Sequence, residues 1–412
     1  MRLAGLVVLC LATSAMAAKT CDVRAFGAKG DGVSKDTAAI QKAIDNCGKG
    51  TVVLENGTFV SGPIVLRSDV TLDIEKGATL LGSPDRGDYP KVTFARQTTL
   101  QPLVSAVNAQ NVAIVGGGTI DGNGHVWWEY VKGVKDAGVL GNDHPRPMGL
   151  VFDHTRHVHV EGITVRNAGF WQIVPYYADD VVIRNVTILA PKSPNTDAID
   201  PFSSSHVLID HVFSSVGDDN VAIKSGAIGS LGPDAPSHDI TILDCTFENG
   251  HGLSIGSEIS GGVQNVRAER IRFKGTDNGI RIKANRDRGH DVSDILFKDI
   301  MMQDVKTAIL VSEYYPKVYP EGEVAAAPVQ RLTPHFHDIM IEDLKAVNSE
   351  TAGVIVGLPE SPVEDITLKN VSIRARTGMK IAYAKVTLEK VQVSVPEGEG
   401  IEVSPTATVA RK

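Results

Sequence analysis

The sequence predicts an all-β fold, a right-handed parallel β-helix: a solenoid of short strands with a short N-terminal capping helix. Three observations carry this. A motif recurs, reading apolar, any, apolar, polar, Asn/Asp or a substitute, apolar. It appears as Val158-His159-Val160-Glu161-Gly162-Ile163 and Val181-Val182-Ile183-Arg184-Asn185-Val186, with copies starting at Val207, Ile240, Val266, Ile295, Ile339, Ile366 and Val386. A second register of strands falls between the copies: Ala198-Ile199-Asp200, Val221-Ala222-Ile223, Leu253-Ser254-Ile255, Ile280-Arg281-Ile282, Ile309-Leu310-Val311 and Val354-Ile355-Val356. Both alternate with period two, as strands with one buried face do. A helical solenoid would need a 3.6-residue period at this spacing, which these segments lack. An aromatic content of 5% fits a narrow core of aliphatic stacks.

Taken in order, residues 1–17 read as an export signal. Arg2 supplies the positive start, Leu3 to Thr13 the apolar stretch, and Ala15-Met16-Ala17 a small-x-small cleavage site. That stretch is shorter than the roughly 20 apolar residues of a membrane span, so a secreted or periplasmic protein with no membrane partner is expected. Residues 18–412 are read as a single β-helix domain, because the repeats overrule the two or three domains that length alone suggests. Its N-terminal cap, over about 18–60, holds a helix near Asp36 to Asn46. Asp36 is the expected N-cap, and Ile40, Ala43, Ile44 and Cys47 share one face. Cys10 leaves with the signal. Cys21 and Cys47 are expected to pair in an oxidising compartment, contributing roughly 3–4 kcal/mol; the alternative is two free thiols. Cys245 sits in an apolar strand and reads as a buried small hydrophobe. Two long stretches, Gly122–Met148 and Glu313–Pro334, interrupt the coils as loops, where binding specificity usually sits. From about Glu397 the chain reads as an irregular tail.

Charge narrows the partners. The chain carries 41 basic and 49 acidic residues, a net charge of −8. Nucleic-acid binding needs a basic footprint and is excluded; an anionic ligand would have to be held by local cations. No cysteine pair has zinc-site spacing. His157 and His159 share a strand face, as do His335 and His337, but no third ligand is evident for either, so exposed histidines are the better reading and neither a metal nor a cofactor is called. The glycines of 27–32 and 116–118 fit turns and match no phosphate-binding fingerprint. A monomer is expected.

Four consecutive coils carry a polar stripe: Asn195-Thr196-Asp197, Gly217-Asp218-Asp219, Gly250-His251-Gly252 and Arg281-Ile282-Lys283. Gly217 and Gly250 each lie ten residues beyond a repeat start, Val207 and Ile240, which places the two groups on adjacent coils about 5 Å apart. With Ile280 and Ile282 pointing inward, Arg281 and Lys283 point outward together. Three carboxylates this close disfavour simultaneous ionisation, so one should keep its proton near neutral pH. A retained proton beside ionised carboxylates is what glycosidic cleavage requires, and adjacent cations suit a sugar bearing its own carboxylate.

In these four groups, in this order, the chain resembles glycoside hydrolase family 28, the polygalacturonases; the resemblance runs from about Asp22 to Pro396. It implies an inverting hydrolase of polygalacturonate or a pectic oligosaccharide, working without a cofactor. Asp218 matches the family's proton donor, and Asp197 and Asp219 the pair that activates water. His251 matches a residue that tunes the donor, Arg281 and Lys283 those that bind a galacturonate carboxylate, and Asn195 a substrate contact. Tyr315 is the better match to the substrate-binding tyrosine, with Tyr314 as the alternative. The full Asn-Thr-Asp and Gly-His-Gly groups imply homogalacturonan rather than rhamnogalacturonan; xylogalacturonan stays as an alternative, and endo and exo action both stay open. A polysaccharide lyase would rely on calcium and an arginine base. A non-catalytic polysaccharide-binding β-helix has no use for a proton donor. Asp200 and Asp210 read as turn caps. Lys224 is balanced between a functional and a solvated reading, and Trp127-Trp128 between sugar platform and loop packing.

Overall fold

A computed structural model describes residues 19–95, 97–136, 145–191, 194–320, 322 and 324–412; the expected export signal lies outside them. The chain forms a right-handed parallel β-helix. Val158, Val181, Val207, Ile240, Val266, Ile295, Ile339, Ile366 and Val386 stand beside one another in one unbroken parallel ladder. The Asn/Asp position of the motif explains how each coil turns. Asn185, His211, Asp244, Arg270, Asp299, Asp343, Asn370 and Lys390 all have φ between 51° and 59°. This left-handed conformation suits Asn and Asp better than most residues, and repeating it in register bends every coil at the same corner. Inside, one apolar cluster runs from Cys21 to Leu388. Each fully buried Val, Ile or Leu in it contributes roughly 1.5–3 kcal/mol.

The N-terminal end is closed by helix α1 (Thr37–Cys47), whose buried face is Ile40, Ala43, Ile44 and Cys47 as expected. The expected side-chain N-cap is absent. The Asp36 carboxylate instead accepts from the backbone N–H groups of Lys29 at 2.7 Å and Gly30 at 2.9 Å, tying the preceding turn to the helix start. Cys21 and Cys47 are joined as a disulfide with Cα atoms 5.9 Å apart. Cys245 is buried, and burial pushes its thiol up to about 12.

Two expectations are corrected. The first excursion contains a second helix, α2 (His125–Asp136), where a loop was expected. The chain beyond Glu397 is no irregular tail: Ile401–Val403 pairs with Met379–Ile381, and Thr408–Arg411 with Lys385–Leu388. Those last strands bury little, so side-chain alternation is faint while the backbone still satisfies the open edge of the preceding coil. Among the described residues no helix is long and apolar enough to cross a membrane.

Candidate active site

The cleft rests on the strand stack that was read as the second register. Ile199 lies beside Val221, Val221 beside Leu253, and Leu253 beside Ile280. Parallel pairing fixes the spacing of these coils at about 4.8 Å. Asp197, Asp219 and His251 each lie two residues before their strand's first member, so they form neighbouring steps of one stripe. The ladder corrects one detail of the sequence count. Phe213 pairs with Thr246, which keeps Gly217 level with Gly250, but the next strand pairs Val221 with Leu253, a coil shorter by one residue. His251 therefore lies level with Asp219, while its backbone N–H donates to the Asp218 carbonyl at 2.8 Å. Gly252, at φ 84°, makes this tightening possible, since any Cβ there would run into the Asn278 carbonyl.

Asp219 is the most strongly held carboxylate. It accepts from Lys283 Nζ at 2.7 Å, Arg281 at 3.2 Å and the Ser254 hydroxyl at 2.8 Å. Burial alone would raise its pKa, but Lys283 and then Arg281 outweigh burial and hold it well below the usual carboxylate range. Asp197, also buried, has a weaker partner in Lys224 at 3.5 Å. Burial and the charge of Asp218 push its pKa up to about 7. Asp218 Oδ1 lies 2.9 Å from His251 Nδ1, and its Oδ2 lies 3.4 Å from the Asn195 amide. Burial raises Asp218, yet the hydrogen bond from His251 brings it below its ordinary value; the same contact lifts His251 against its own burial. The other ring nitrogen of His251 faces Asp277 at 3.3 Å. With a carboxylate at each nitrogen, only the imidazolium satisfies both contacts.

Of the three carboxyls of the stripe, the one whose own proton affinity is raised is therefore Asp197, whereas the resemblance implies the donor's role for Asp218. The physical reason is that Asp218 has a cationic imidazole against it and Asp197 does not. Asp218 and His251 together hold one proton between them.

The remaining sequence candidates also converge. Tyr315 lines the cleft, its ring centroid 5.8 Å from the Arg281 guanidinium and 5.3 Å from Lys283 Nζ. Tyr314 packs instead against the cluster of Leu310, Val354 and Val356. Asn195 is positioned by Arg146, which donates to its Oδ1 at 3.0 Å and to the Pro194 carbonyl at 2.8 Å.

The structure also places residues that the sequence leaves open, reads as structural or does not single out. Lys224 is not solvated; it is 5% exposed and sits between Asp197 and Glu258, with Trp171 beneath its ammonium group at 4.9 Å. The signal for it was available, because Lys224 follows Ile223 as Lys283 follows Ile282. Asp200 is not a turn cap: both its carboxylate oxygens are buried without a hydrogen-bond partner among the described residues, and burial followed by the charge of Asp197 raises its pKa well above the ordinary value. Asp210, by contrast, pairs with Arg184 at 2.8 Å at the corner. The aromatic wall of the cleft is Phe170 and Trp171. Trp127 is buried against Tyr89, and Trp128 donates to the Ala168 carbonyl at 3.0 Å, so that pair packs the excursion.

The family model of Glycosyl hydrolases family 28 matches residues 49–394. An "Endo-polygalacturonase" of Pectobacterium parmentieri is 32% identical, over 86% of this chain and 88% of that one. A "Probable polygalacturonase" of Vitis vinifera is 29% identical, over 93% and 79% respectively. In three dimensions the chain is similar to a hyperthermoactive exopolygalacturonase from Thermotoga maritima, with a TM-score of 0.79 at 30% identity, covering 90% of this chain and 91% of that one.

Proposed function

Because the chain belongs to Glycosyl hydrolases family 28, we propose that it hydrolyses α-1,4 links between galacturonic acid units of pectin with inversion, as a secreted enzyme. The observation that carries this reading is the paired arrangement of Asp218 against His251 at 2.9 Å, able to share one proton, and Asp219 against Lys283 at 2.7 Å and Arg281 at 3.2 Å, which favour its ionised form. The proton of the Asp218–His251 pair passes to the leaving glycosidic oxygen as its bond to the anomeric carbon breaks. Water, held by Asp197 and Asp219, attacks that carbon from the opposite face and gives its proton to that pair of carboxyls. Lys224 and Tyr315 line the space around them, with the Arg281 guanidinium 5.8 Å from the Tyr315 ring, and together they offer the cations and hydroxyl that a galacturonate carboxylate needs. Lys283 is already committed to Asp219, so its role with substrate is shared with holding that charge. The names of relatives that act on polygalacturonate support this substrate.

The test is incubation with polygalacturonate in the presence of a chelator. Reducing ends that accumulate without an ultraviolet-absorbing product mean hydrolysis, and an absorbing product means a lyase. Asp218→Asn should lower turnover by about 10²–10⁴-fold with an unchanged circular-dichroism spectrum; near-normal turnover would remove Asp218 from the donor role.

A further inference from the structure

His335 and His337 acquire in three dimensions the third partner that the sequence did not show. Asp291 opens the strand Asp291–Gln303, and His335 pairs beside it where the chain returns from the excursion that begins at Glu313. His335 Nδ1 lies 3.1 Å and His337 Nε2 2.8 Å from the same oxygen, Asp291 Oδ1. Ligand-type atoms of all three residues lie within 4.8 Å of one another. A tetrahedral zinc ion with ligands at 2.0–2.1 Å separates them by about 3.3 Å, so both Asp–His separations are already close to that spacing.

The surroundings match as well. His337 Nδ1 is held by Asp338 Oδ2 at 2.7 Å, which leaves Nε2 for the shared centre. The second oxygen of Asp291 accepts the Ser293 hydroxyl at 2.9 Å. A ring nitrogen committed to a carboxylate, and a ligand carboxylate that is itself hydrogen-bonded, are the contacts that orient zinc ligands. Glu364 is paired with Lys385 at 2.6 Å, so the negative charge beside the two imidazoles comes from Asp291 and Asp338. All three residues are half-buried, which leaves room for water in a fourth position.

We propose that Asp291, His335 and His337 form a zinc site, completed by water, that fastens the end of the long excursion to the coil beneath it. None of the three lines the catalytic cleft, so the site stands independently of the hydrolase reading. Its structural consequence would reach the cleft indirectly, since the turn that ends at Asp291 carries Arg288, stacked 5.6 Å from the centre of Tyr315.

The full-length protein, stripped with a chelator and dialysed, is titrated with Co²⁺ alone. One Co²⁺ per chain with intense visible absorption of the tetrahedral type, displaced by one Zn²⁺, is expected. Asp291→Asn and His337→Gln should abolish the signal, while a His157→Gln/His159→Gln control keeps it. Zn²⁺ should also raise the unfolding midpoint of the wild-type chain and leave the two ligand variants unmoved. Absence of saturable Co²⁺ binding to the wild-type chain overturns the proposal without reference to any variant. So does stoichiometric binding that survives both ligand substitutions.

Discussion

Replacing His251 tests whether the donor's proton is shared. At the 2.9 Å separation of His251 Nδ1 and Asp218 Oδ1, an effective dielectric of about 20 gives roughly 6 kcal/mol of attraction. The pair is not sealed from water, His251 being 33% and Asp218 20% exposed. Screening reduces the usable part to roughly 1.5–3 kcal/mol, or about one to two pH units. In the wild-type chain the pair loses its proton when His251 does, and that pKa lies above the ordinary 6.5. The alkaline limb of kcat/KM should therefore fall above 6.5. With His251→Gln the proton must reside on Asp218 alone, whose carboxyl releases it at lower pH. The limb then moves down by about one to two units, and kcat at its new optimum falls by about 10-fold or more. The assay is kcat/KM on polygalacturonate across about pH 4 to 9 for both proteins. An alkaline limb in the same place, with or without the imidazole, would refute the shared proton and leave Asp197, raised to about 7, as the acid.

Other outcomes follow from the same contacts. Lys283→Met and Asp219→Asn each leave a buried charge short of its partner, costing about 3 kcal/mol; chemical denaturation should show the double variant losing less than the sum of the two. Ser254→Val removes the hydroxyl that Asp219 accepts and should lower kcat/KM about 10- to 100-fold, consistent with the worth of a hydrogen bond to a charged group. Asp200 keeps its proton when folded and releases it near 3.8 when unfolded. Its contribution therefore makes stability fall as pH rises from about 4 toward neutrality, and Asp200→Asn should flatten the dependence of melting temperature on pH. The Cys21→Ala/Cys47→Ala pair should lose about 3.5 kcal/mol of stability, and reduction of the wild-type protein should lower its unfolding free energy by the same amount.

The repeat was legible because a solenoid writes its geometry in each coil: apolar positions every second residue, and an Asn or Asp at the left-handed corner. The polar stripe was legible for the same reason, since residues at equal distance from a repeat start must be neighbours. What could not be read was anything set by contacts between coils of unequal length. The one-residue difference between the Asp218 and His251 coils exchanged Asp218 for Asp219 as the ladder neighbour of His251. Which carboxyl of the stripe has its proton affinity raised depends on how closely each aspartate meets its cation, and no spacing rule contains that. Asp36 looked like a helix cap because it precedes a helix, whereas its oxygens turn back to Lys29 and Gly30. Helix α2 was missed because, among the residues whose burial is described, its buried face shows only Trp127 and Val131 within a stretch of charged residues and a glycine.

The Ser254 prediction rests on a feature of the stack that reaches beyond nearest neighbours. Asp219 pairs with Arg281 and Lys283, which lie two coils away, at roughly twice the 4.8 Å spacing. Ion pairs of 2.7 and 3.2 Å across that gap require long side chains to pass over the coil between. That coil can therefore carry nothing large at the matching outward positions. It presents Ser254 beside Arg281, and Gly256 next to Lys283, where any Cβ would run into the Lys283 carbonyl. The serine gives a hydroxyl to the carboxylate as the cations cross above it, and the glycine gives only space. On this reading Ser254 and Gly256 belong to the charge cluster as much as the ionised residues do, although neither carries charge. A bulky residue at either would part Asp219 from its cations and let its proton affinity rise toward that of Asp197, removing the ionised member of the pair that activates water.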